Sequence, residues 1–368
     1  MPISSNPIDT QPMQAFAKQR GLMPNDEPKP SSHPASEGVP RITPQSLASC
    51  LITARDLATM QIPKRPRLLD KWLCEGDLGY VFAPRGVGKT WLAMTLPRAI
   101  SQGASLGLWE AGESKTRVLY VDGEMPLELT QYRSRGIELG EGDVTYLHHE
   151  ALFDHLGSSL NIGSEEQRTA ITALLVEQGF KCVILDNLSS LASGVEENRG
   201  EHYEPIAHWL LELRRRKITV IIIHHAGRNA EVMRGHTKRE DACSWIIQLR
   251  DAKQEGEPGA KFVSHFAKPS RNTGEPLRDL LWHFTTGKDG SVSIHCEVAE
   301  VSEYEAFIQH VLDGADTQAD IAEMMGKPKG TISKWASKAQ RDGRICRDGN
   351  KLKPPATPKK SHHETDDD

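Results

Sequence analysis

The sequence predicts an α/β fold in which a mainly parallel sheet finishes in antiparallel strands, followed by a small C-terminal domain of helices. Between residues 78 and 295, short aliphatic runs alternate first with helix-length segments, as in parallel sheets, and later with short turns, as in antiparallel ones. Beyond residue 303 the pattern changes to short helices, and residues 327–353 carry nine Lys or Arg against two Asp. These observations indicate a large sheet domain and a separate basic domain.

The predicted strands are aliphatic runs bounded by turn residues or by segments with helical periodicity. Helix-length segments separate the early runs, and short turns separate the late ones. The eight runs cover residues 79–82, 117–121, 183–185, 219–223, 245–249, 262–266, 280–284 and 291–295.

The composition is that of a soluble chain. Hydrophobic residues make up 38% and charged residues 26%, and the longest aliphatic run is far shorter than the roughly 18 residues that span a bilayer. Six cysteines spread over 368 residues do not form a disulfide framework, and the first residues lack the apolar region of a secretory signal. We therefore expect a cytoplasmic protein with no membrane partner. Its net charge of −5 restricts contact with nucleic acid to local basic patches.

The chain is expected to divide into four segments. Residues 1–46 hold nine of the 22 prolines without a helical or strand period, which predicts a disordered leader that is either a solvated tail or a binding arm. Residues 47–300 form the predicted sheet domain, and residues 301–353 form the basic domain. Residues 354–368 combine Pro and Lys with an acidic end and are expected to be disordered.

The first predicted strand runs into a glycine-rich loop and then a helical segment, the setting of a phosphate-binding P-loop. Gly86 and Gly88 allow backbone N–H groups to surround a β-phosphate at the helix N-terminus. Lys89 would reach the β and γ oxygens, and Thr90 offers a hydroxyl to Mg²⁺. The loop departs from the usual motif at its first position, where Ala83 replaces glycine. The predicted ATP-binding residues are Pro84, Arg85, Gly86, Val87, Gly88, Lys89, Thr90 and Trp91.

Hydrolysis also needs a carboxylate that holds the metal and a group that orients water. Asp186 ends an aliphatic strand, as in a Walker B motif, and is expected to support Mg²⁺ together with Thr90. Glu124 follows the end of another such strand and is our candidate for the general base, with Asp122 as second choice. Either Glu124 or Asp122 could instead cap the helix that begins after it.

The strand at residues 219–223 ends in His224 and His225, at the same expected edge of the sheet. A neutral imidazole there can sense the γ-phosphate or polarise the attacking water, and we prefer His225 to His224 for this role. The alternative is a metal site, for which the neighbouring residues offer no third ligand at suitable spacing.

The motifs APRGVGKTWLA, VDGEM, VILDN and IIIHHAGR, in that order and spacing, resemble those of the RecA-like hexameric ATPases of the AAA ATPase superfamily, and among them the plasmid and phage replicative helicases of the RepA type. The resemblance covers residues 47–295. It implies a homo-hexameric ring with ATP between subunits, in which Glu124 activates water, Asp186 supports Mg²⁺ and His225 couples the phosphate state to DNA loops. It also implies an arginine finger from the neighbouring subunit, because phosphoryl transfer needs additional positive charge.

Two regions compete for the finger. Lys268 and Arg271 lie in the segment AKPSRN, which resembles the Lys–x–Arg–Asn finger motif of DnaB-type helicases with one extra residue between the basic positions. Arg271 is our candidate and Lys268 its companion, and a plain basic surface hairpin explains both residues equally well. In RepA-like proteins the finger is thought to lie in the stretch that matches residues 234–245, which keeps Arg234 and Arg239 as competitors.

A basic segment that contains glycine, residues 226–241, falls between two predicted core strands, where loops line the channel of a ring. Lys and Arg there would grip the phosphates of single-stranded DNA without reading its sequence. A solvated loop is the alternative, since no aromatic residues alternate with the basic ones. The predicted contacts are Arg228, Arg234, Lys238 and Arg239.

The basic C-terminal domain begins with a capping-box pattern at residues 317–320, followed by a turn and a second helix with apolar residues on one side and polar or basic residues elsewhere. Residues 343–353 predict a two-stranded wing around a tight turn. Together they resemble the winged helix-turn-helix family, which implies binding of duplex DNA, with a protein-interaction domain as the alternative. The predicted DNA contacts are Lys329, Thr331, Ser333, Lys334 and Lys338.

These features predict an ATP-driven, ring-forming DNA helicase or translocase that serves replication of a plasmid, phage or similar element. The alternative is an ATP-controlled switch whose winged helix binds a specific site without unwinding, as an initiator, recombination mediator or transcriptional regulator. A third interpretation, a small-molecule kinase, lacks a recognisable acceptor pocket or lid.

Overall fold

The computed structural model describes residues 42–138, 143–195, 200–227, 233, 238–274, 276–300, 303–349 and 351–354. The chain divides into two compact units, residues 1–63 and 64–368. In the first unit, the described residues form two short helices, α1 (Pro44–Ala48) and α2 (Ala54–Thr59), each N-capped by a threonine side chain. Residues 1–41 of the predicted leader and 355–368 of the predicted tail lie outside the described residues. The expected domain boundaries stay predictions.

The second unit contains a short hairpin, β1 (Arg67–Leu69) and β2 (Leu73–Cys74), and a sheet of nine strands. The nine strands are β3 (Leu78–Ala83), β4 (Val118–Asp122), β5 (Val144–His148), β6 (Cys182–Asp186), β7 (Thr219–His225), β8 (Trp245–Asp251), β9 (Ala260–Lys268), β10 (Leu280–Thr286) and β11 (Val292–Val298). Their spatial order is β11-β10-β9-β8-β3-β7-β6-β4-β5. The strands from β8 to β5 in this order are parallel, and β9, β10 and β11 continue the sheet antiparallel.

This sheet confirms the predicted α/β class, with a parallel core and late antiparallel strands. Each of the eight predicted strands overlaps an observed one. The strand β5 was not predicted, because it lies at the edge of the sheet, and four of its five residues are only partly buried. Its sequence, VTYLH, therefore carries no continuous aliphatic run.

Helices cover both faces of the sheet. They are α3 (Lys89–Gln102), α4 (Leu127–Gly136), α5 (His149–Leu156), α6 (Glu165–Glu177), α7 (Leu188–Leu191), α8 (Gly200–Arg215) and α9 (Lys238–Asp241). Alternate residues of β3 pack into the hydrophobic cores on opposite faces of the sheet. Val81 and Ala83 lie in the core on the α3 side, whereas Tyr80 and Phe82 lie in the core on the side of α6 and α8. Among the described residues, no helix combines the length and apolar character needed to cross a bilayer.

The parallel register aligns the strand ends along one border of the sheet, which we call the carboxyl edge. Ala83 of β3 is paired with His225 of β7, and Asp122 of β4 is paired with Asp186 of β6. Parallel strands all end on this border, so residues that are distant in sequence meet there. The glycine-rich loop, the acidic residues and the histidine pair therefore share one edge.

The C-terminal part of the second unit has a hydrophobic core of its own. It contains α10 (Glu303–Leu312), α11 (Gln318–Met324) and α12 (Lys329–Arg341), then a hairpin of β12 (Cys346–Asp348) and β13 (Lys351–Lys353). Phe307, Ile321, Ile332 and Leu352 are buried together in this core. Met324, which the helical pattern places inward, is 54% exposed, whereas the next residue, Met325, packs against this core.

Candidate active site

The glycine-rich loop connects β3 to α3. Gly86 and Gly88 have positive φ angles of 83° and 124°, a region that residues with side chains rarely adopt. Gly88 also packs against Phe262 of β9, since a Cβ added there would lie 2.8 Å from the Phe262 ring. Gly88 is the N-cap of α3, so the N-terminus of that helix faces the loop, as phosphate binding requires.

Lys89, the first residue of α3, is buried within the loop. Its Nζ donates hydrogen bonds to the carbonyl oxygens of Ala83 at 3.0 Å and Pro84 at 2.8 Å. Burial lowers the pKa of Lys89 to about 8, although the carboxylates of Asp186 and Glu124 act in the opposite direction. The ammonium group is therefore held inside the loop, within the field of both acids.

Asp186 ends β6 and is almost completely buried. The hydroxyl of Tyr120, on the neighbouring strand β4, donates a hydrogen bond of 2.5 Å to Asp186 Oδ2. Burial raises the pKa of Asp186 to about 7, and the Tyr120 hydrogen bond opposes this shift. A nearby cation would stabilise this desolvated carboxylate, which is the environment expected of a residue that supports a metal ion.

Two acids compete for the role of general base, and their surroundings differ. Asp122 is 1% exposed, and its carboxylate accepts hydrogen bonds from the backbone N–H groups of Glu124 and Met125 and from the Thr130 hydroxyl, all between 2.9 and 3.1 Å. Asp122 therefore stabilises the turn before α4, which agrees with the alternative that it caps this helix. Glu124 is exposed to the cavity described below and accepts a hydrogen bond from the side-chain amide of Asn187. This geometry favours Glu124 as the base.

The two histidines at the end of β7 point to opposite sides of the sheet. His224 is fully buried and lies near Tyr80, with the ring centroids 6.3 Å apart. His225 is partly exposed and lines the same cavity as Lys89. Alternation along the strand explains the difference, and it agrees with the preference for His225.

A cavity of about 490 Å³ lies at the carboxyl edge, and its wall contains most of the predicted site. It brings together groups that are distant in sequence: the glycine-rich loop with the start of α3, α4 with the segment before it, the ends of β6 and β7, and the start of β9. The predicted residues on its wall are Arg85, Gly86, Gly88, Lys89, Thr90, Trp91, Glu124, Asp186 and His225. Pro84 and Val87 do not line the cavity: Pro84 contributes its carbonyl to Lys89, and Val87 is buried in the core. A larger groove, about 990 Å³, lies between α6 and α8 and holds none of the predicted residues.

Sequence reasoning missed six residues of this wall. Arg133 lies on α4, one helix beyond Glu124, where it looks like any charged residue of a polar helix. Ala260 begins β9 and Gly259 precedes it, and only the antiparallel pairing of β9 with β8 brings them to the loop. No local motif marks these positions. The remaining three are Met125, Pro126 and Leu129.

Arg271 lies far from this cavity within the same chain. Its backbone N–H donates to the Ser244 carbonyl at 3.1 Å, and the Ser244 N–H in turn donates to Leu78, at the start of β3. The six residues of β3 separate that border from the glycine-rich loop, a distance of roughly 17 Å. The Arg271 guanidinium donates to the Asp241 carbonyl at 2.8 Å, and Lys268 donates to the Glu240 carbonyl. Arg271 therefore cannot reach a phosphate bound in the cavity of the same chain.

The predicted DNA contacts of the loop after β7 fall largely outside the described residues. Arg228 and Arg234 are not described, and Lys238 and Arg239 begin α9 with side chains that are also not described. In the C-terminal domain, Lys329, Ser333, Lys334 and Lys338 are exposed on α12, and Thr331 is partly exposed. Lys338 Nζ lies 4.4 Å from the centroid of the Tyr304 ring, so Tyr304 fixes one of these basic side chains.

The oxygen ligands on the cavity wall fit Mg²⁺. Thr90 supplies a hydroxyl and Asp186 a carboxylate, both hard ligands of the kind that Mg²⁺ prefers. Among the described residues, no cluster of three His, Cys, Asp or Glu could hold a metal ion alone. This arrangement suits a cation that is shared between one or two side chains and the phosphates of a nucleotide.

Comparison with known proteins gives one family match. Residues 43–231, just over half of the chain, match the family model described as AAA domain. No curated protein matches the sequence. Among solved structures, flagellar accessory protein FlaH from Methanocaldococcus jannaschii is similar at 15% sequence identity and a TM-score of 0.41, over 61% of this chain and 91% of FlaH.

Proposed function

Because this chain belongs to the AAA domain family, we propose that it is an ATP-hydrolysing, ring-forming DNA helicase or translocase that acts in replication of a plasmid, phage or other mobile element. The observation that carries the proposal is the single cavity on which Lys89, Thr90, Glu124, Asp186 and His225 converge. These residues supply phosphate binding, metal support, water activation and phosphate sensing at one site.

Each residue has a defined task in hydrolysis. Lys89 and the N–H groups of the loop bind the β- and γ-phosphates, and Glu124, held by Asn187, orients and deprotonates the attacking water. Thr90 and Asp186 would hold Mg²⁺, which neutralises charge on the phosphates when it is bound. His225 is the last residue of β7, the strand that pairs with β3, so it is suited to transmit the phosphate state to the loop after β7.

A ring assembly agrees with the position of Arg271. Its guanidinium is exposed and lies at the border of the sheet opposite the cavity, so it is available to a neighbouring subunit and not to its own nucleotide. Arg271 is therefore our candidate for the finger in a homo-hexamer. The Arg271 guanidinium would add positive charge beside the γ-phosphate bound by the neighbouring subunit.

The C-terminal domain is proposed to bind duplex DNA as a winged helix-turn-helix. The exposed basic face of α12 and the hairpin after it, with Arg347, Lys351 and Lys353, provide the charge that phosphate contacts require. The loop after β7 is proposed to contact single-stranded DNA in the ring.

The first test is steady-state ATP hydrolysis with and without unstructured single-stranded DNA, beside unwinding of a forked duplex by the same preparation. Stimulated hydrolysis with strand separation is expected. Lys89→Ala is the control for the site, since it should abolish turnover while leaving duplex binding intact. Turnover by this variant would place hydrolysis elsewhere.

A second function, the ATP-controlled DNA-binding switch, is favoured by one contact. Glu305 of α10 forms salt bridges with Arg344, after α12, at 2.5 Å and with Arg250 of β8 at 3.4 Å, so a salt bridge connects the C-terminal part of the second unit to the sheet. The switch would be supported over the helicase if single-stranded DNA left the rate of ATP hydrolysis unchanged and if the protein bound duplex DNA tightly with an affinity that depended on the bound nucleotide.

A further inference from the structure

Three consecutive residues at the end of the edge strand β5 contact the turn that carries Glu124, residues 122–127, and the helix α4 that follows it. They are His148, His149 and Glu150, and each makes a different hydrogen bond to this region. His149 and Glu150 line a separate cavity of about 570 Å³, and none of the three lines the cavity of about 490 Å³ that Glu124 faces. Their influence on hydrolysis therefore has to pass through the turn.

His148 supports Asp122, the residue with which it is paired across β5 and β4. The imidazole is 3% exposed, and this burial lowers its pKa and favours the neutral ring. Its Nδ1 accepts the Glu150 backbone N–H at 3.2 Å, so the proton of the neutral ring lies on Nε2. Nε2 lies 3.4 Å from Thr130 Oγ1, and the Thr130 hydroxyl donates to Asp122 Oδ2 at 2.9 Å. The neutral imidazole therefore orients Thr130, which in turn orients Asp122.

His149 and Glu150 bind two backbone groups that follow Glu124 in the chain. His149 Nε2 donates to the Met125 carbonyl at 3.0 Å, because a carbonyl oxygen only accepts. The Glu150 carboxylate accepts the backbone N–H of Leu127 at 2.7 Å, one of the N–H groups at the start of α4 that have no partner within the helix. These bonds fix the backbone after Glu124 and restrict the movement of its carboxylate.

The position of a general base is critical for its function. The base must lie within hydrogen-bond distance of the water that it deprotonates, and a displacement of about 1 Å can slow a reaction by about 100-fold. We propose that the segment 148–150 positions Glu124 for catalysis through the backbone of the turn, without touching the nucleotide. This inference rests on the proposed hydrolysis at the cavity.

Two pairs of variants of the full-length protein test the proposal. His149→Ala removes the donor to the Met125 carbonyl, whereas His149→Gln keeps a side-chain N–H donor at a similar distance from the backbone. Glu150→Ala removes the acceptor for the N–H of Leu127, and Glu150→Gln keeps an amide oxygen as acceptor. Both positions are partly exposed, so we expect all four variants to fold.

Single-turnover hydrolysis and equilibrium binding of a non-hydrolysable ATP analogue are measured for each variant. The alanine variants should hydrolyse ATP about tenfold more slowly than wild type and bind the analogue with an affinity within about twofold of wild type. The glutamine variants should regain most of the rate. His155→Ala is the matched control, since His155 is exposed on the same helix as Glu150 and lines neither cavity.

Combination with Glu124→Gln separates positioning of the base from general damage to the site. In this background His149→Ala should not slow the residual hydrolysis further, because the base that His149 positions is already absent. An unchanged rate in both alanine variants, loss of analogue binding, equal losses in the alanine and glutamine variants, or the same tenfold loss without Glu124 would each overturn the inference. Failure of the proposed function is a different result, because wild-type protein would then hydrolyse no ATP or Glu124→Gln would be as active as wild type.

Discussion

The Tyr120 hydroxyl donates a 2.5 Å hydrogen bond to Asp186 in a pair that is buried between two neighbouring strands. The two residues are 66 positions apart, and the parallel pairing of β4 with β6 brings them together. The hydrogen bond stabilises the ionised carboxylate against the burial that raises its pKa. Tyr120 therefore adjusts the pH range in which Asp186 can support a metal ion.

Tyr120→Phe removes this hydrogen bond without changing the size of the ring. The pKa of Asp186 should rise further above about 7, because only the interaction that lowered it is lost. The acidic limb of the pH profile of ATP hydrolysis should then move upward by about one pH unit. Tyr146→Phe is the control, since Tyr146 contacts Tyr120 but is not bonded to Asp186. Equal profiles for wild type and Tyr120→Phe would contradict this role.

The raised pKa of Asp186 also links stability to pH. The folded protein keeps the Asp186 proton up to about pH 7, whereas the unfolded chain releases it near 3.8, so the contribution to stability is complete below pH 3.8 and is lost as pH rises through 7. Asp186→Asn removes this linkage. In the absence of Mg²⁺, it should raise the free energy of unfolding at pH 8 by at least about 1 kcal/mol relative to wild type, with a smaller difference at pH 5. Denaturant titrations at both pH values measure the effect.

Gly88→Ala and Gly86→Ala form a matched pair. Both glycines have positive φ, but a Cβ at Gly88 would lie 2.8 Å from Phe262, whereas nothing lies within 4 Å of a Cβ at Gly86. Gly86→Ala should cost only backbone strain of about 1–2 kcal/mol. Gly88→Ala should cost clearly more and weaken ATP binding, because Phe262 or the loop must move. Thermal unfolding and nucleotide titration compare the two, and equal losses would show that packing on Phe262 is unimportant.

Glu124→Gln keeps the shape of the side chain and removes its basicity. ATP binding should be retained, and hydrolysis should slow by at least about 100-fold. Single-turnover hydrolysis and equilibrium binding separate these two properties. Loss of binding would instead make Glu124 a structural residue of the turn.

Arg271 and Lys89 can be tested in one mixed assembly. Arg271→Ala subunits retain an intact phosphate loop, and Lys89→Ala subunits retain the finger, so rings that contain both should regain hydrolysis that neither variant shows alone. Subunit mixing is verified first by energy transfer between labelled subunits. Mixed rings without activity would contradict the role of Arg271 as the finger and would leave only its structural contact with the Asp241 carbonyl.

Short-range patterns were sufficient for most of the sheet and for the centre of the site. The strand, glycine-rich loop and helix around Lys89 are contiguous, and Asp186 and His225 each end an aliphatic run, so alternation and strand ends predict the shared edge. The edge strand β5 could not be predicted, because its residues are only partly buried and form no continuous hydrophobic run.

Long-range packing settled what these patterns left open. The sequence keeps both Glu124 and Asp122 as candidate bases, and only the hydrogen bonds of the folded turn show that Asp122 is committed to it while Glu124 faces the cavity. Arg133 has no motif, since its position over Trp91 depends on how α4 packs beside α3. Local sequence encodes secondary structure through periodicity and backbone preference, whereas the surroundings of a side chain depend on the register and packing of elements that are distant in the chain.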